Sequence, residues 1–541
     1  MKKDLTFILL LLLISFPAVR ALLLPGGFTS HDLTHHVVRQ ISMHKLLSEG
    51  QFPPRWSGEL NNGYGYPVFL FNYPLPAMIG EVFHKLGLGF VDSVKAVLFT
   101  SMIASVLGMY LFLQSLFKDK MAAFLGAIFY LYAPIRFLNV YVSAAVGSAL
   151  GLAIVPFVFW SLVEINKGKK WAVWAGSLSL AALTAAHNVT ALIFGPLLLA
   201  FSVAGSGRRN LAIMFLLGLG LSAWFWLPAT FDAQYTRFDQ IYAGFYKDQF
   251  VTLWQLIHSP WGYGLSHPER PELGDMSYQL GLIHILVVGV YSIWYIVYGR
   301  KSKDKILGIF VLTAFFLSVF LMLKISLPVW EYLPFLNLIQ FPLRFQAISI
   351  FSASIAAALL VKYLPFKKIL FVSLLMLVLY ANRNHWNINE KFDPGENYYL
   401  DLKTTSTTYG EHLPKWGRAM DKLPVSKLEF IEGKGNIKVI EDKSNKILAS
   451  VQVLASSKLR LNQFYFPGWD ILVDNKKTSF SYLTDGQNYG LPVFEIEAGS
   501  HKILAEFKNT SLRNFADLIS IITFITVIMV ILNQCKLLIR R

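Results

Sequence analysis

Long apolar segments alternate with short polar connections along most of the chain. A helix needs about 20 consecutive apolar residues to cross the hydrocarbon core of a bilayer. Runs of roughly that length lie at residues 5–24, 93–117, 121–140, 145–165, 171–187, 189–206, 211–230, 278–298, 306–325, 344–363, 367–381 and 514–534. This pattern predicts a polytopic α-helical membrane protein with about twelve transmembrane helices.

The first apolar segment has the outline of a secretory signal peptide, because it follows Lys2 and Lys3. It is long enough to span a bilayer, however, Arg20 interrupts it, and no clear small-residue cleavage site precedes Pro25. We therefore expect this segment to remain as the first transmembrane helix.

A different period appears between residues 382 and 512. In the second half of this segment apolar and polar residues alternate, as they do in half-buried strands. The alternating stretches are 447–454, 458–461, 471–473, 493–496 and 503–507. Turn-forming pairs such as Asp474-Asn475 separate them. The pattern predicts a small β-sandwich held between the last two transmembrane helices.

The two patterns together divide the chain into three parts. Residues 1–381 form a multi-span membrane domain, which includes a first outer loop at residues 25–92. Residues 382–512 form an extracytoplasmic β-rich domain, and residues 513–541 form the last transmembrane helix with a basic cytoplasmic tail.

The composition supports a membrane protein. Only 15% of the 541 residues are charged and 54% are hydrophobic, with a mean hydropathy of +0.47. Soluble proteins carry about 25% charged residues, so a soluble enzyme is excluded. The formal net charge is +16, but the basic residues lie in short clusters between apolar runs, which argues against a nucleic-acid binder. The single cysteine, Cys535, excludes an intrachain disulfide.

The basic clusters also predict the orientation, because cytoplasmic connections collect Lys and Arg. The clusters fall on alternate connections: Lys2/Lys3, Lys118/Lys120, Lys167/Lys169/Lys170, Arg208/Arg209, Arg300/Lys301/Lys303/Lys305, Lys367/Lys368 and Lys536/Arg540/Arg541. We therefore expect a multi-pass protein of the plasma membrane with both termini in the cytoplasm and its active face outside.

The first outer loop contains the most concentrated polar chemistry. Ser30 is a plausible N-cap for a helix that runs to about Ser48. At about 100° per residue, one face of this helix holds a carboxylate, two imidazoles and a guanidinium. These side chains belong to Asp32, His35, His36 and Arg39. The alternative interpretation is a solvated polar face on an interfacial helix.

A divalent metal ion is an open alternative at this face. Asp32 and His36 are spaced so that both side chains reach one ion, whereas the adjacent His35 and His36 point about 100° apart. The spacing is not the H-E-x-x-H pattern of zinc enzymes.

Two further residues are candidates outside the first loop. His187 lies between two apolar runs, where an ionisable side chain is either functional or a satisfied polar group at a helix turn. Asp275 lies at the lip of a helix, at the end of the outer connection 231–277. We expect both to contact substrate.

Several short motifs resemble those of a known family. The first outer loop contains, in order, H-D-x-x-H-H-x-x-R, G-x-x-P-x-R-W, G-x-G-Y-P and F-x-F-N-Y-P-L-P, between His31 and Pro76. Related short motifs occur at 132–136, 186–188, 338–344, 464–469 and 498–501. This order resembles bacterial membrane proteins described as YfhO-like or pyruvoyl-tetrahydropterin-synthase-related.

Those families are similar to the GT-C superfamily of glycosyltransferases, integral membrane enzymes that use polyprenyl-phosphate sugars. In that superfamily an acidic residue of the first outer loop acts as the base or helps to hold a metal ion, and Asp32 occupies the matching position. The resemblance implies a membrane glycosyltransferase. Its donor would be a polyprenyl-phosphate-linked sugar, and its acceptor an extracytoplasmic glycan, lipid or protein.

The leaving phosphate of such a donor needs a positive partner. Arg39, Arg136 and Arg344 are candidates because all three are expected on the outer face and can offer bidentate hydrogen bonds. Each arginine is alternatively a lipid headgroup anchor. Arg344 is favoured because it lies at the membrane entrance of a helix, beside a Gln-Phe-Pro turn.

One stretch departs from the family pattern. After Tyr141-Val142 the family often carries an arginine and a glutamate, whereas residues 143–148 of this chain are Ser, Ala, Ala, Val, Gly and Ser. If those charges are catalytic in relatives, this protein relies on other residues or has lost the activity.

Two other functions remain open. A transporter or flippase of lipid-linked intermediates would suit twelve spans, although paired inverted repeats are not evident. A non-catalytic envelope assembly protein could bind wall polymer through Tyr465, Phe466 and Trp469, unless these rings belong to the core of the sandwich.

Overall fold

The computed structural model describes residues 2–203, 205, 207–404, 407, 409–484 and 486–539. The α-helices are α1 (Lys2–Val19), α2 (Leu33–Ser48), α3 (Val68–Phe71), α4 (Leu75–Lys85), α5 (Phe90–Phe117), α6 (Lys120–Leu131), α7 (Pro134–Phe137), α8 (Val146–Asn166), α9 (Trp171–Ala186), α10 (Asn188–Val203), α11 (Arg208–Leu221), α12 (Ala223–Phe231), α13 (Phe238–Tyr242), α14 (Leu253–Ile257), α15 (Leu282–Val297), α16 (Lys305–Met322), α17 (Leu327–Tyr332), α18 (Gln346–Tyr363), α19 (Lys367–Ala381), α20 (Glu396–Asp401) and α21 (Ser511–Ile539). The predicted tail residues Arg540 and Arg541 lie outside the described residues.

The strands are concentrated near the carboxyl end of the chain. They are β1 (Gly27–Phe28), β2 (Lys391–Phe392), β3 (Leu428–Glu432), β4 (Gly435–Lys443), β5 (Lys446–Val453), β6 (Ser457–Leu461), β7 (Trp469–Val473), β8 (Lys476–Lys477), β9 (Val493–Ile496) and β10 (Gly499–Phe507). The predicted β-sheet domain is therefore present.

Several helices are suited to a bilayer. Among the described residues six stretches are long and apolar enough to cross it, namely Leu5–Leu23, Phe90–Phe117, Val146–Asn166, Lys305–Met322, Pro342–Tyr363 and Ser511–Leu532. Two bent helix pairs, α6 with Pro134–Val142 and α11 with Ala223–Tyr235, raise this number to as many as eight. The chain is thus a multi-pass membrane protein.

The predicted number of about twelve spans is not confirmed. The helices α9, α10 and α15 contain 16 residues each. At 1.5 Å per residue each is roughly 24 Å long, shorter than the hydrocarbon core of about 30 Å. Apolar composition alone therefore overestimates the number of full-length spanning helices.

The centre of the helical part is α18. Its residues are buried from Gln346 to Val361, and it packs against α6, α15 and α16. A helix that is apolar on all sides is stable only when neighbours surround it. The many Ala and Ser residues of α18 let those neighbours approach closely.

Strands β1 and β2 pair with each other, and β3 to β10 form two antiparallel sheets that share a core. One sheet has the order β4-β5-β10-β7-β8 and the other β3-β6-β9. Leu428, Leu459 and Phe494 of the smaller sheet and Ile447 and Ile503 of the larger one belong to the same buried cluster. The alternating burial along β5 fixes the register, because a shift by one residue would expose its apolar face.

The first outer loop packs into this β domain. Trp56 is fully buried, and its indole N–H donates to Gln463 Oε1 at 2.8 Å. Its ring lies edge-on to Trp469, with a centroid distance of 5.5 Å. Lys427 Nζ donates to the carbonyls of Gly58 at 3.1 Å and Gly63 at 2.6 Å, and burial lowers the pKa of Lys427 to about 8.

Buried ion pairs connect the start of α21 to the outer loops. Arg513 Nε lies 2.9 Å from Asp232 Oδ2, and both side chains are almost fully buried. Arg55 Nη2 lies 2.5 Å from Asp517 Oδ1. Removing one partner of such a pair leaves an uncompensated buried charge, so these contacts hold the outer segments in one arrangement.

Candidate active-site cavity

Asp32 lies at the start of α2. The sequence predicts Ser30 as the N-cap of this helix. In the structure the helix begins at Leu33, and Asp32 takes the flanking N-cap position. Ser30 Oγ accepts a hydrogen bond from the Leu33 amide at 3.2 Å. The Asp32 side chain makes no capping hydrogen bond, so its carboxylate is not committed to the helix end.

The backbone of this turn is held by a distorted helix. The amide of His31 donates to Val142 O at 3.0 Å, and the amide of Asp32 donates to Ser143 O at 3.0 Å. Residues Leu138–Val142 form a π-helix at the end of a span that bends by 51°. Such irregular turns are frequent at functional sites, because they redirect the backbone groups that follow.

Asp32 lines a cavity of about 210 Å³ at the end of the helical part where α8, α10 and α18 begin. Its polar wall consists of His31, Asp32, Asn139, Ser143, Ser148, His187, Thr190, Ser266 and Arg344. Its apolar wall consists of Ile135, Leu138, Ala145, Leu152, Ile193, Met276, Phe341, Leu343 and Ala347. The cavity is thus lined by both hydrogen-bonding groups and apolar side chains.

The Asp32 carboxylate has no partner among the residues that the structure describes. In the part of the chain that the structure describes, no hydrogen bond or ion pair engages its oxygens. It is the one carboxylate among the described residues that line the cavity. An uncommitted carboxylate facing a cavity can accept a proton from a bound molecule.

Arg344 supplies the positive charge of the cavity. It lies just before α18, and its Nη1 donates to Ile339 O at 2.8 Å and to Gln340 Oε1 at 3.1 Å. The guanidinium lies over the Phe341 ring, 5.1 Å from its centroid. These contacts orient the side chain. Among the described residues Nη1 is the one terminal nitrogen that is hydrogen-bonded, so the other side of the guanidinium remains able to bind an anion.

His187 presents a donor to the same cavity. The Thr190 amide donates to His187 Nδ1 at 3.2 Å, so Nδ1 is the acceptor nitrogen of a neutral ring. The proton is then on Nε2, which lies 3.4 Å from Ser148 Oγ. Tyr73 packs edge-on against the ring, with a centroid distance of 5.0 Å.

His36 and Arg39 lie at a neighbouring, much smaller cavity of about 20 Å³. Arg39 Nη1 donates to His36 Nδ1 at 3.4 Å and to Asn72 Oδ1 at 3.3 Å. Burial lowers the pKa of His36 well below its usual value, and Arg39 adds to the effect. His36 is therefore neutral, with one nitrogen facing a guanidinium.

The predicted metal site does not fit these surroundings. Asp32 lines the larger cavity and His36 the smaller one. The described residues contain no group of three or more His, Cys, Asp or Glu side chains arranged to hold a metal ion. Beside Arg39, a divalent cation at His36 would also meet a like charge. We therefore derive no chemistry through a metal ion.

Arg136 is not among the residues that line the cavity. Its side chain is 1% exposed, and Nη2 lies 3.5 Å from Met102 Sδ. Its guanidinium carbon lies 5.4 Å from the Tyr130 ring centroid. Within the described residues, Nε and Nη1 have no hydrogen-bond partner.

Asp275 is exposed and also lies outside the cavity lining. Its carboxylate accepts a hydrogen bond from the Gly264 amide. The carbonyl of the same Gly264 accepts a hydrogen bond from His31 Nε2 at 2.9 Å. Asp275 thus supports a loop that touches the residue preceding Asp32.

Sequence reasoning missed several groups of the site. His31 stands in the motif beside Asp32 and was identifiable by that position, whereas Asn139, Ser148 and Thr190 are single polar residues in or near apolar runs and give no separate signal. The segment before the β domain also packs against α3 of the first outer loop. There His412 stacks on Phe71 with a centroid distance of 5.6 Å, and burial lowers its pKa to about 4.

A packed aromatic cluster lies beneath the cavity. Phe112, Phe159, Phe194 and Phe351 come from α5, α8, α10 and α18, and each is 0% exposed. Phe351 lies 4.6 Å from Phe159, 5.7 Å from Phe112 and 5.8 Å from Phe194, measured between ring centroids. We call these four rings the aromatic floor.

Sequence comparison finds a distant relative of this chain. No protein-family model matches the chain. An uncharacterized protein of Lactococcus lactis subsp. cremoris is 26% identical over 236 residues, which is 40% of this chain and 37% of that protein.

Two solved structures of the Archaeoglobus fulgidus oligosaccharyltransferase are similar in fold. The apo form has a TM-score of 0.48 at 11% identity, covering 77% of this chain and 61% of that one. The complex with Zn and sulfate has a TM-score of 0.42 at 13% identity, covering 73% and 57%. In every comparison the chain spans less than two thirds of the relative's length. TM-scores below 0.5 carry no argument about function.

Proposed function

We propose that this protein is a membrane glycosyltransferase that moves a sugar from a polyprenyl-phosphate donor to an extracytoplasmic glycan, lipid or protein. One observation carries the proposal: the unpartnered Asp32 carboxylate and the Arg344 guanidinium line the same cavity at the outer end of the helices. A base and an anion-binding group in one cavity suit a displacement at a sugar carbon.

The reaction can be written with these residues. The acceptor hydroxyl gives its proton to Asp32 while its oxygen forms a bond to C1 of the sugar. The bond between C1 and the phosphate oxygen breaks, and the electron pair leaves with the phosphate. Arg344 stabilises the negative charge of that phosphate, and His187 Nε2–H supplies a neutral hydrogen-bond donor.

The remaining predicted ligands have separate roles in this proposal. Arg39 orients His36 beside the cavity, and Asp275 supports the loop bonded to His31. Arg136 lies outside the cavity lining and takes no part in this reaction. Where the family often carries an arginine and a glutamate, Ser143 and Ser148 line the cavity of this chain as neutral hydrogen-bonding groups.

A flippase is the less favoured function. A flippase needs a route for the polar headgroup through the bilayer centre. The aromatic floor lies on α8, α10 and α18 one or more turns beyond the cavity residues Leu152, Thr190 and Ala347, towards the helix ends that carry the Lys and Arg clusters. Tightly packed rings at that depth would block the passage of a polar headgroup. They therefore favour a reaction on one face of the membrane over transport across it.

A wall-binding role through the β-domain aromatics is also less favoured. Phe466 is fully buried and Trp469 is 3% exposed, so both rings belong to the core of the domain. Tyr465 is half-buried and stacks on Tyr482 with a centroid distance of 4.0 Å.

The membrane arrangement belongs to the same proposal. The protein lies in the plasma membrane with both termini in the cytoplasm, because the basic clusters alternate along the chain. In this arrangement the short helices α9, α10, α15 and α19 also cross the bilayer, within a locally thinner layer.

The experiment uses membranes that contain the protein and a panel of radiolabelled polyprenyl-phosphate hexoses. Wild-type membranes should move label from the lipid extract to a non-donor product. Asp32→Asn should lower this rate by about 10²- to 10⁴-fold, as is typical when a general base is removed. Expression and folding should be unchanged, because the side chain has no partner among the described residues of the fold.

Asp239→Asn is the matched control, since Asp239 is an exposed carboxylate of an outer loop and does not line the cavity. Equal rates for Asp32→Asn and Asp239→Asn at normal expression would contradict the proposal.

A further inference from the structure

The short helix α14 exposes an apolar face. Leu253, Trp254 and Ile257 are 56%, 67% and 42% exposed, whereas Leu256 is 2% exposed and faces the core. A capping box closes the start of the helix: the Thr252 side chain accepts from the Gln255 amide, and the Gln255 side chain accepts from the Thr252 amide. A contiguous apolar surface on an ordered element usually marks an interaction site.

Backbone hydrogen bonds fix the level of α14 relative to the membrane helices. The Val251 amide donates to Met322 O, the last residue of α16, at 3.1 Å. The Leu280 amide donates to Leu256 O at 2.9 Å, two residues before α15 begins. The basic connection that holds Lys301 and Lys303 lies at the opposite ends of α15 and α16. Helix α14 therefore lies level with the outer ends of two apolar helices.

The exposed apolar side chains of α14 are followed by others at the start of α15, two residues after the hydrogen bond between Leu280 and Leu256. Leu282 and Leu286 on the first turns of α15 are each 53% exposed. On a membrane helix such side chains face lipid. Trp254 is also the residue type that concentrates at the boundary between headgroups and acyl chains.

From this continuity we infer that α14 docks its apolar face into the outer leaflet of the lipid bilayer. The partner is the lipid surface itself, and the contacts are those of Leu253, Trp254 and Ile257 with the boundary between headgroups and acyl chains.

This contact has a consequence for the cavity. The connection that follows α14 contributes Ser266 and Met276 to the cavity lining, and Gly264 O accepts the hydrogen bond from His31. When α14 is docked in lipid, it therefore holds the connection that carries Ser266 and Met276 at the membrane surface, where a lipid-linked donor arrives. This consequence rests on the proposed function, whereas the lipid contact does not.

The test uses an environment-sensitive fluorophore on single cysteines in a Cys535→Ser background. The full-length protein carries Leu253→Cys or Ile257→Cys and is reconstituted into vesicles of phosphatidylcholine and phosphatidylglycerol, with or without bromine on the acyl chains. We expect brominated lipid to lower the fluorescence at both positions about twofold or more, because interfacial helices bury their apolar face roughly 5–10 Å into this boundary.

Leu454→Cys is the matched control, since Leu454 is a leucine of the β domain that is 73% exposed. Its fluorescence should not change with bromination. Equal quenching at residues 253, 257 and 454, or quenching at none of them, would overturn the inference. The measurement needs neither donor nor turnover, so its failure would leave the proposed transfer reaction standing.

Discussion

At the scale of single residues, the surroundings of Asp32 and Arg344 suit different tasks. The Asp32 carboxylate has no partner in the described part of the chain, so it is free to take a proton. The Arg344 guanidinium is held by Ile339 and Gln340, so it does not have to be ordered when an anion binds. Groups ordered in advance lose less conformational entropy on binding.

Arg344→Lys should impair donor binding although it keeps the charge. A lysine ammonium cannot reproduce a planar pair of N–H donors, so the KM for a polyprenyl-phosphate sugar should rise about 10- to 100-fold. Arg383→Lys is the control, because Arg383 lies just past the outer end of α19 and contacts Tyr380 alone among the described residues. Equal KM values for the two variants would reduce Arg344 to a headgroup anchor.

His412 should make stability depend on pH. Burial lowers its pKa to about 4, whereas an unfolded histidine titrates near its usual value. The unfolded state therefore binds the proton first, so stability is complete above the unfolded pKa and is lost as pH falls towards the folded one. Between about pH 7.5 and about pH 5 the loss should be about 2 kcal/mol.

The measurement is the apparent thermal midpoint of the detergent-solubilised protein at both pH values. His412→Phe keeps a ring for stacking on Phe71 and Phe238 but cannot be protonated, so its midpoint should fall less on acidification. An identical fall in both proteins would show that other groups cause the acid sensitivity.

At the scale of elements, the cavity depends on the close approach of α8 to the first outer loop. A Cβ atom at Gly147 would lie 2.3 Å from the Tyr73 ring. Tyr73 in turn packs against His187. The absence of a side chain at Gly147 therefore lets a tyrosine of the first loop hold a cavity residue on the connection between α9 and α10.

Gly147→Ala should displace Tyr73 and disturb His187. We expect a loss of about 1–3 kcal/mol in stability, as for other overpacked sites, and a fall in transfer rate. Gly195→Ala is the control, since no atom lies within 4 Å of a Cβ at Gly195 in the neighbouring helix α10. Thermal unfolding and turnover of the two variants check this, and a Gly147→Ala protein as stable and active as Gly195→Ala would contradict it.

At the scale of the whole molecule, the contacts between distant segments constrain how the chain is oriented in the membrane. The first outer loop, Asp232 and the start of α21 meet around Arg513 and the β domain. All of these segments must lie on one side of the membrane for the contacts to form. The alternating basic clusters predict that this side is the outside.

Cysteine labelling tests that orientation. In a Cys535→Ser background, Ser456→Cys in the exposed turn before β6 should react with a membrane-impermeant maleimide in intact cells. Lys303→Cys, in a predicted cytoplasmic connection, should react only after permeabilisation. The reverse pattern would invert the topology and remove the proposed outer active face.

Much of the local structure was predictable from the sequence. The alternating stretches 458–461 and 493–496 lie within β6 and β9, and the polar face after Ser30 belongs to a helix. These features depend on residues close together in the chain. The predicted number of spanning helices is not confirmed, because hydropathy does not show where a helix bends or stops short, as it does between Leu131 and Pro134.

The sequence by itself determined a membrane protein with apolar helices, a β domain and a candidate acidic residue at position 32. Only the tertiary structure decided which candidates meet: Asp32, His187 and Arg344 line one cavity, while Arg136 and Asp275 do not. The physical reason is the separation along the chain of the residues that determine each feature. Periodicity records how each segment buries its own apolar face, whereas convergence of distant side chains depends on how α2, α8, α10 and α18 pack together.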